Sequence, residues 1–148
     1  NWPHSMQTNA PTHHLIFLRH GESTYNEQGL FTGHHDAQLT ALGKQQAVHA
    51  ARICHQFDIR IVHTSTLARS IDTSGLITRT LKRPIEFFKS PDLNERDYGK
   101  LNGLNKKIAA DIYGEDQIFQ WRRGFYDRPP EGESLFDTYE RASNTTKP

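Results

Sequence analysis

Four consecutive apolar residues, Leu15-Ile16-Phe17-Leu18, run directly into Arg19-His20-Gly21. A short uninterrupted apolar run that breaks on a turn-forming glycine is the pattern of a strand buried on both faces of a parallel sheet. Two similar runs follow, Ile59-Arg60-Ile61-Val62 and Ile85-Glu86-Phe87-Phe88. Residues 39–57 lie between the first two. There Thr40 is a candidate N-cap, and Leu42, Ala47, Val48, Ala51 and Cys54 recur near one face at helical spacing. Residues 66–81, with Leu67, Ile71, Leu76 and Ile77, predict a second helix before the third run. Strand, helix, strand, helix, strand is the α/β alternation, and it predicts a parallel sheet with helices packed on it.

After Ser90-Pro91 the chain becomes polar and turn-rich through Glu95-Arg96-Asp97-Tyr98-Gly99. Helices are expected at residues 104–113 and 115–125, then the breaker Asp127-Arg128-Pro129-Pro130-Glu131-Gly132, then a last helix from Ser134 to about residue 142. The domain assignment is one domain over residues 14–148. Residues 1–13, with neither a basic start nor an apolar stretch, are set aside as a disordered or expression-derived tail.

Charge bears on partners. The chain has 148 residues with 18 Lys plus Arg against 17 Asp plus Glu, so there is no bulk electrostatic case for nucleic acid or an acidic membrane. No apolar run approaches the roughly 20 residues a membrane-spanning helix needs. The one cysteine, Cys54, leaves no intrachain disulfide and no multi-cysteine zinc site, and a reducing, cytoplasmic setting is expected. His34-His35-Asp36 is read as a loop and not as a metal site, because adjacent side chains in extended backbone point apart.

Chemistry concentrates at Arg19-His20-Gly21-Glu22-Ser23, at the carboxyl end of the first expected strand, where open α/β sheets bind ligands. An imidazole there can attack a phosphoryl group while a guanidinium holds its oxygens bidentately. An Arg-His-Gly triplet alone is more often a structural histidine at a strand end. The balance is moved by cations and turn residues spread over the next hundred positions: Asn26, Thr32-Gly33, Arg69, Glu95 to Tyr98, Lys106 and Arg122-Arg123. Together they compose an anion site.

These residues, with Phe31, Leu39-Thr40, Thr64-Ser65, Leu93-Asn94, Gly103-Leu104-Asn105, Tyr113-Gly114, Trp121 and Glu133-Ser134-Leu135, occur in an order that resembles the 2,3-bisphosphoglycerate-dependent phosphoglycerate mutases of the histidine phosphatase superfamily. The resemblance implies a three-layer α/β/α sandwich. It also implies interconversion of 3- and 2-phosphoglycerate through a phosphohistidine primed by 2,3-bisphosphoglycerate; the alternatives are a histidine-type phosphatase on a small phosphorylated metabolite, or an inactive fragment. On this numbering His20 is the implied nucleophile and Glu95 the acid and base at the substrate hydroxyl. Arg19, Asn26 and Arg69, with backbone from Gly21, Glu22 and Ser23, hold the transferring phosphoryl group. Thr32, Gly33, Arg96, Asp97, Tyr98, Lys106, Arg122 and Arg123 bind the remaining anionic groups. Lys107 is left as a surface charge. The implied partner is a small phosphorylated metabolite, with no metal, and a homo-oligomer is compatible with the sequence.

One departure from the family follows. Its second active-site histidine lies on a later strand that is fourth in sequence and sits between the first two in the sheet. No histidine follows His63 here. These residues are therefore expected to be an N-terminal portion of a longer fold that lacks a central strand, and 148 residues alone are expected to have negligible mutase activity.

Overall fold

Thr40 does what its position predicts: its hydroxyl accepts the Gly43 N–H at 3.0 Å and starts α2, Ala41–Cys54. The computed structural model describes residues 13–146, so residues 1–12 of the expected tail lie outside the described residues. A one-turn helix, α1 (Thr24–Glu27), precedes α2 and is closed by a capping box between Ser23 and Asn26. β1 (Ile61–Thr64), α3 (Ala68–Leu81) and β2 (Glu86–Lys89) then form a parallel crossover unit in which Ile61 pairs with Glu86 and Thr64 with Lys89. α4 (Lys106–Tyr113), α5 (Glu115–Arg123) and α6 (Leu135–Ser143) follow, with short 3-10 turns at Pro91–Leu93 and Gly99–Leu101. The fold is mixed α/β, as expected.

The apolar periodicity divides into two small cores. Ala51 and Cys54 of α2 pack with Ile77 and Leu81 of α3, covered by Ala50, Ile59 and Ile85. Phe31, Leu101, Ala109 and Ile118 form the second, with Tyr98, Leu104, Tyr113 and Trp121 against them. α3 joins core to site: Arg69, Thr73, Ile77 and Leu81 are buried at four-residue spacing on one face. The C-terminal half of that stripe is apolar, and the N-terminal half is polar and faces the His20 loop.

One expectation is corrected. Residues 15–18 do not form a buried strand: Leu15 is 81% and Phe17 88% exposed, and no described strand pairs with them. A strand is held by ladder hydrogen bonds and by packing on its faces, so an apolar run without either partner stays extended and unpaired. The two strands that do pair are likewise open, with Ile61 and Phe88 exposed.

Candidate active site

Two glycines set the position of His20. A Cβ on Gly21 would overlap the Gly43 carbonyl oxygen, and a Cβ on Gly43 would overlap that of Glu22, so loop and helix α2 touch backbone to backbone. The contact is fastened by Thr40, whose N–H donates to the Glu22 carbonyl at 2.9 Å and whose hydroxyl donates to Glu22 Oε1 at 2.8 Å. Glu22 N–H donates to Gln46 Oε1 at 2.8 Å, and Gly21 N–H donates to Thr73 Oγ1 at 3.0 Å. Ser23 N–H donates to Asn26 Oδ1 at 3.1 Å. All three amides expected to cradle a phosphoryl group are thus bonded within the protein. In this arrangement anion binding falls to side chains.

His20 is half-buried, and its Nδ1–H donates to the Gly21 carbonyl at 2.6 Å. A donor at Nδ1 leaves Nε2 as the lone-pair nitrogen of the neutral ring. Burial holds the imidazole below its ordinary value of 6.5. The Gly21 carbonyl and the Glu95 carboxylate oppose this, and the positive charges of Arg69 and Arg19 add to it. His20 is therefore predominantly neutral at neutral pH. Arg19, His20, Glu22, Asn26, Gln46 and Lys106 line one open cleft of about 350 Å³.

Arg69 is 1% exposed, and its positive charge acts on His20. Its Nη1 donates to the His35 carbonyl at 3.0 Å, and its Nη2 donates to the Gly33 carbonyl and to Glu95 Oε2, both at 2.8 Å. Thr32 is buried beside Gly33, which turns at φ +50° where a Cβ would overlap the Asn102 side chain. Arg69 thereby ties the 33–35 loop to Glu95.

The remaining cations gather on two aromatic rings. Phe31 and Tyr98 pack with their rings tilted by 52° and centroids 5.0 Å apart, Lys106 Nζ and Arg122 Cζ each lie 6.0 Å from the Phe31 centroid, and Arg96 Cζ lies 4.7 Å from that of Tyr98. Arg96 is buried. Its Nη2 donates to the Arg122 carbonyl at 3.1 Å, and its Nη1 is buried without a hydrogen-bond partner in the structure. An orphaned guanidinium N–H costs free energy until an acceptor arrives, so Arg96 is suited to an anionic ligand. Arg123 is exposed at the end of α5.

Asp97 is bonded within its own turn. Its Oδ1 accepts from Gly99 N–H at 2.9 Å and from Asn102 Nδ2 at 2.6 Å. Burial pushes this carboxyl up, but those donors and the nearby His34 and His35 outweigh it and hold it below the usual range. Its carboxylate shapes the turn. Gly43, Gln46 and Thr73 were missed by sequence reading, because a backbone contact and two single hydrogen bonds leave no motif. Glu133 and Arg141, which grip the segment before and after Glu95, left only the short match at Glu133-Ser134-Leu135 as a signal.

Among the described residues no group of three or more His, Cys, Asp or Glu is arranged to hold a metal ion. No described helix is long and apolar enough to cross a membrane.

Comparison with known proteins accords with this geometry. A protein named 2,3-bisphosphoglycerate-dependent phosphoglycerate mutase from Methanococcus vannielii is 38% identical over 153 residues, covering 86% of this chain and 65% of that protein. Like-named proteins from Cytophaga hutchinsonii and Rhizobium rhizogenes are 39% and 43% identical and cover 86% of this chain, and 60% and 62% of their own length. The chain thus spans a little under two thirds of these relatives. Among solved structures, one titled mycobacterial hydrolase 1 superposes with a TM-score of 0.78 at 26% identity, covering 86% of this chain and 60% of that one. A mycobacterial glucosyl-3-phosphoglycerate phosphatase gives 0.75 at 26% identity, over 86% of this chain and 58% of that one. The model of the histidine phosphatase superfamily, branch 1, matches residues 15–147, and with the fold and the His20 loop described above, the chain belongs to that superfamily.

Proposed function

We propose that this chain carries the phosphohistidine site of an enzyme that interconverts 3-phosphoglycerate and 2-phosphoglycerate, primed by 2,3-bisphosphoglycerate. The observation that carries this reading is the His20 ring: neutral, with Nδ1–H spent on the Gly21 carbonyl and Nε2 left as the nucleophile beside Arg19, Arg69 and Glu95. Nε2 attacks phosphorus, the bond from phosphorus to the substrate oxygen breaks, and Glu95 gives a proton to that oxygen as it leaves. In the return step Glu95 takes the proton from the attacking hydroxyl. Arg19, Asn26 and Arg69 hold the oxygens of the transferring group, whose charge positioned cations stabilise.

Arg96, Lys106, Arg122 and Arg123, with Thr32, Gly33 and Tyr98, take the substrate's carboxylate and second phosphate. The unpartnered Arg96 Nη1 fits such a polyanion. A substrate that must stay bound while the phosphoryl group leaves and returns needs several cations, and three of the four gather on the Phe31–Tyr98 pair. The mutase names of relatives at 38–43% identity also support this reading.

A phosphatase is the second reading, favoured by the structural likeness to a glucosyl-3-phosphoglycerate phosphatase. Incubation with labelled 2,3-bisphosphoglycerate should place acid-labile label on His20, and His20→Ala should abolish it. Label that survives His20→Ala overturns the assignment. Conversion of added 3-phosphoglycerate to 2-phosphoglycerate identifies the mutase, and release of inorganic phosphate alone identifies the phosphatase.

A further inference from the structure

The segment that carries Glu95 and Arg96 has no regular secondary structure, yet it is gripped at both ends by a single ion pair. Arg141, on α6, is mostly buried and places Nη1 within hydrogen-bond distance of three carbonyls: Pro91 at 3.1 Å, Asp92 at 2.9 Å and Asn94 at 3.0 Å. Its Nη2 reaches the Glu95 carbonyl at 3.5 Å. The other side of the same guanidinium forks onto Glu133, Nε to Oε1 at 3.0 Å and Nη2 to Oε2 at 2.8 Å. Glu133 Oε2 in turn accepts the Asp97 N–H at 2.9 Å, and Glu133 N–H donates to the Asp97 carbonyl at 2.8 Å. The backbone is thus fixed from residues 91 to 94 on one side of Glu95 by the Arg141 guanidinium, and at Asp97 on the other by the Glu133 that this guanidinium holds.

We infer that Arg141, through Glu133, is a positioning residue that sets the Glu95 carboxylate where it meets Arg69 and the leaving oxygen above His20. This rests on the role given to Glu95 above. A planar guanidinium can serve three carbonyls and a carboxylate at fixed angles, whereas an ammonium cannot, so Lys at this position keeps the charge and loses the geometry. Arg141 touches no reacting atom in this arrangement. The same segment carries Arg96, so with each donor at saturating concentration, where binding by Arg96 is complete, the remaining effect is confined to the proton transfer that Glu95 performs.

That confinement supplies the test. In phosphoryl transfer from 2,3-bisphosphoglycerate to His20 Nε2, an alkoxide oxygen departs and needs the proton from Glu95. In transfer from p-nitrophenyl phosphate, a weakly basic phenolate departs without one. Formation of phosphohistidine is followed with both donors, as label from 2,3-bisphosphoglycerate and as the burst of p-nitrophenolate, in the full chain and in Arg141→Lys, Glu133→Gln and Glu95→Gln. The expected result is a loss of about tenfold or more with 2,3-bisphosphoglycerate for all three variants, the size that a misplaced catalytic group costs. With p-nitrophenyl phosphate the change should stay within about threefold, well short of what a lost acid–base group costs. Equal losses with both donors in Arg141→Lys and Glu133→Gln would show a role in folding alone, and no loss with either would show no role; both results overturn the inference. A parent chain that forms no phosphohistidine from either donor overturns the reading of His20 itself, and this inference with it.

Discussion

Arg69 and Glu95 form an ion pair at 2.8 Å in which the two partners stand in opposite environments, the guanidinium 1% exposed and the carboxylate side chain 41% exposed. The buried partner is also held by the carbonyls of Gly33 and His35, so the pair joins α3, the 33–35 loop and the Glu95 segment at one point. A charge that reaches water on one side only can keep its partner ordered while staying open to a ligand.

Replacing Arg69 should therefore be costly. Arg69→Ala removes a buried cation, orphans two loop carbonyls and leaves Glu95 without its partner. Each buried carbonyl left unpaired costs about 1–3 kcal/mol, while the exposed side of Glu95 lets its freed carboxylate rehydrate. The midpoint of urea unfolding followed by circular dichroism should fall accordingly, and a variant as stable as the parent chain would show that Arg69 does not organise the site.

The protonation of His20 sets a pH dependence. Burial, with Arg69 and Arg19, holds the folded ring below 6.5 against the pull of the Gly21 carbonyl and Glu95. The unfolded chain then binds the extra proton first, so stability from this group is complete above about pH 6.5 and is lost as pH falls toward the folded value. NMR titration of the His20 ring should give a midpoint below 6.5. Glu95→Gln, which removes a negative charge that favours the imidazolium, should lower it further. A midpoint above 6.5, or one raised by Glu95→Gln, would contradict this account.

Contact between Gly21 and Gly43 allows no side chain at either position. Gly43→Ala drives a Cβ into the Glu22 backbone, so the loop must shift. Overpacking of this kind costs about 1–3 kcal/mol, and the His20 ring should move with the loop. The expected readout is a folded protein with a modest drop in melting temperature and a much larger loss of His20 phosphorylation, measured side by side.

Phe31 supports two cations on one ring. Phe31→Leu keeps an apolar side chain in the core but removes the π face under Lys106 and Arg122, each contact worth about 0.5–1 kcal/mol at a partly exposed site. Affinity for a polyanion such as 2,3-bisphosphoglycerate, measured by calorimetry, should weaken by several fold, and Phe31→Tyr should restore it. Unchanged affinity in Phe31→Leu would show that the ring is only core.

How much of this could be read in advance varies with the kind of force involved. Helices α2 to α6 follow from apolar spacing and caps: Thr40 and Ser134 accept the N–H groups three residues on, and Asn105 accepts from Lys107 and Ile108 at the start of α4. The pairing of β1 with β2 follows from a helix-length crossover between two short runs. Leu15 to Leu18 reads as a buried strand by composition but stands exposed, because burial depends on a pairing partner that a local pattern does not contain.

At the site, His20 and the cations spread over the following hundred residues pointed to an anion site, and the roles of single residues came from the family resemblance. What those cations are bonded to was not legible. The Gly21, Glu22 and Ser23 amides turn inward to Thr73, Gln46 and Asn26, the Asp97 carboxylate closes a turn, and Arg69 anchors two loops as well as Glu95.

By itself, then, the sequence determined the α/β alternation and the chemical character of the site, because periodicity, capping and side-chain acidity are properties of residues and near neighbours. Only the tertiary structure decided which nitrogen of His20 is free, that Arg96 keeps one buried N–H unpartnered, and that Arg141 and Glu133 grip the Glu95 segment. These depend on which way each side chain turns and on which groups, from the next residue to nearly fifty residues away, the fold brings within about 3 Å, the range at which a hydrogen bond forms and its geometry acts.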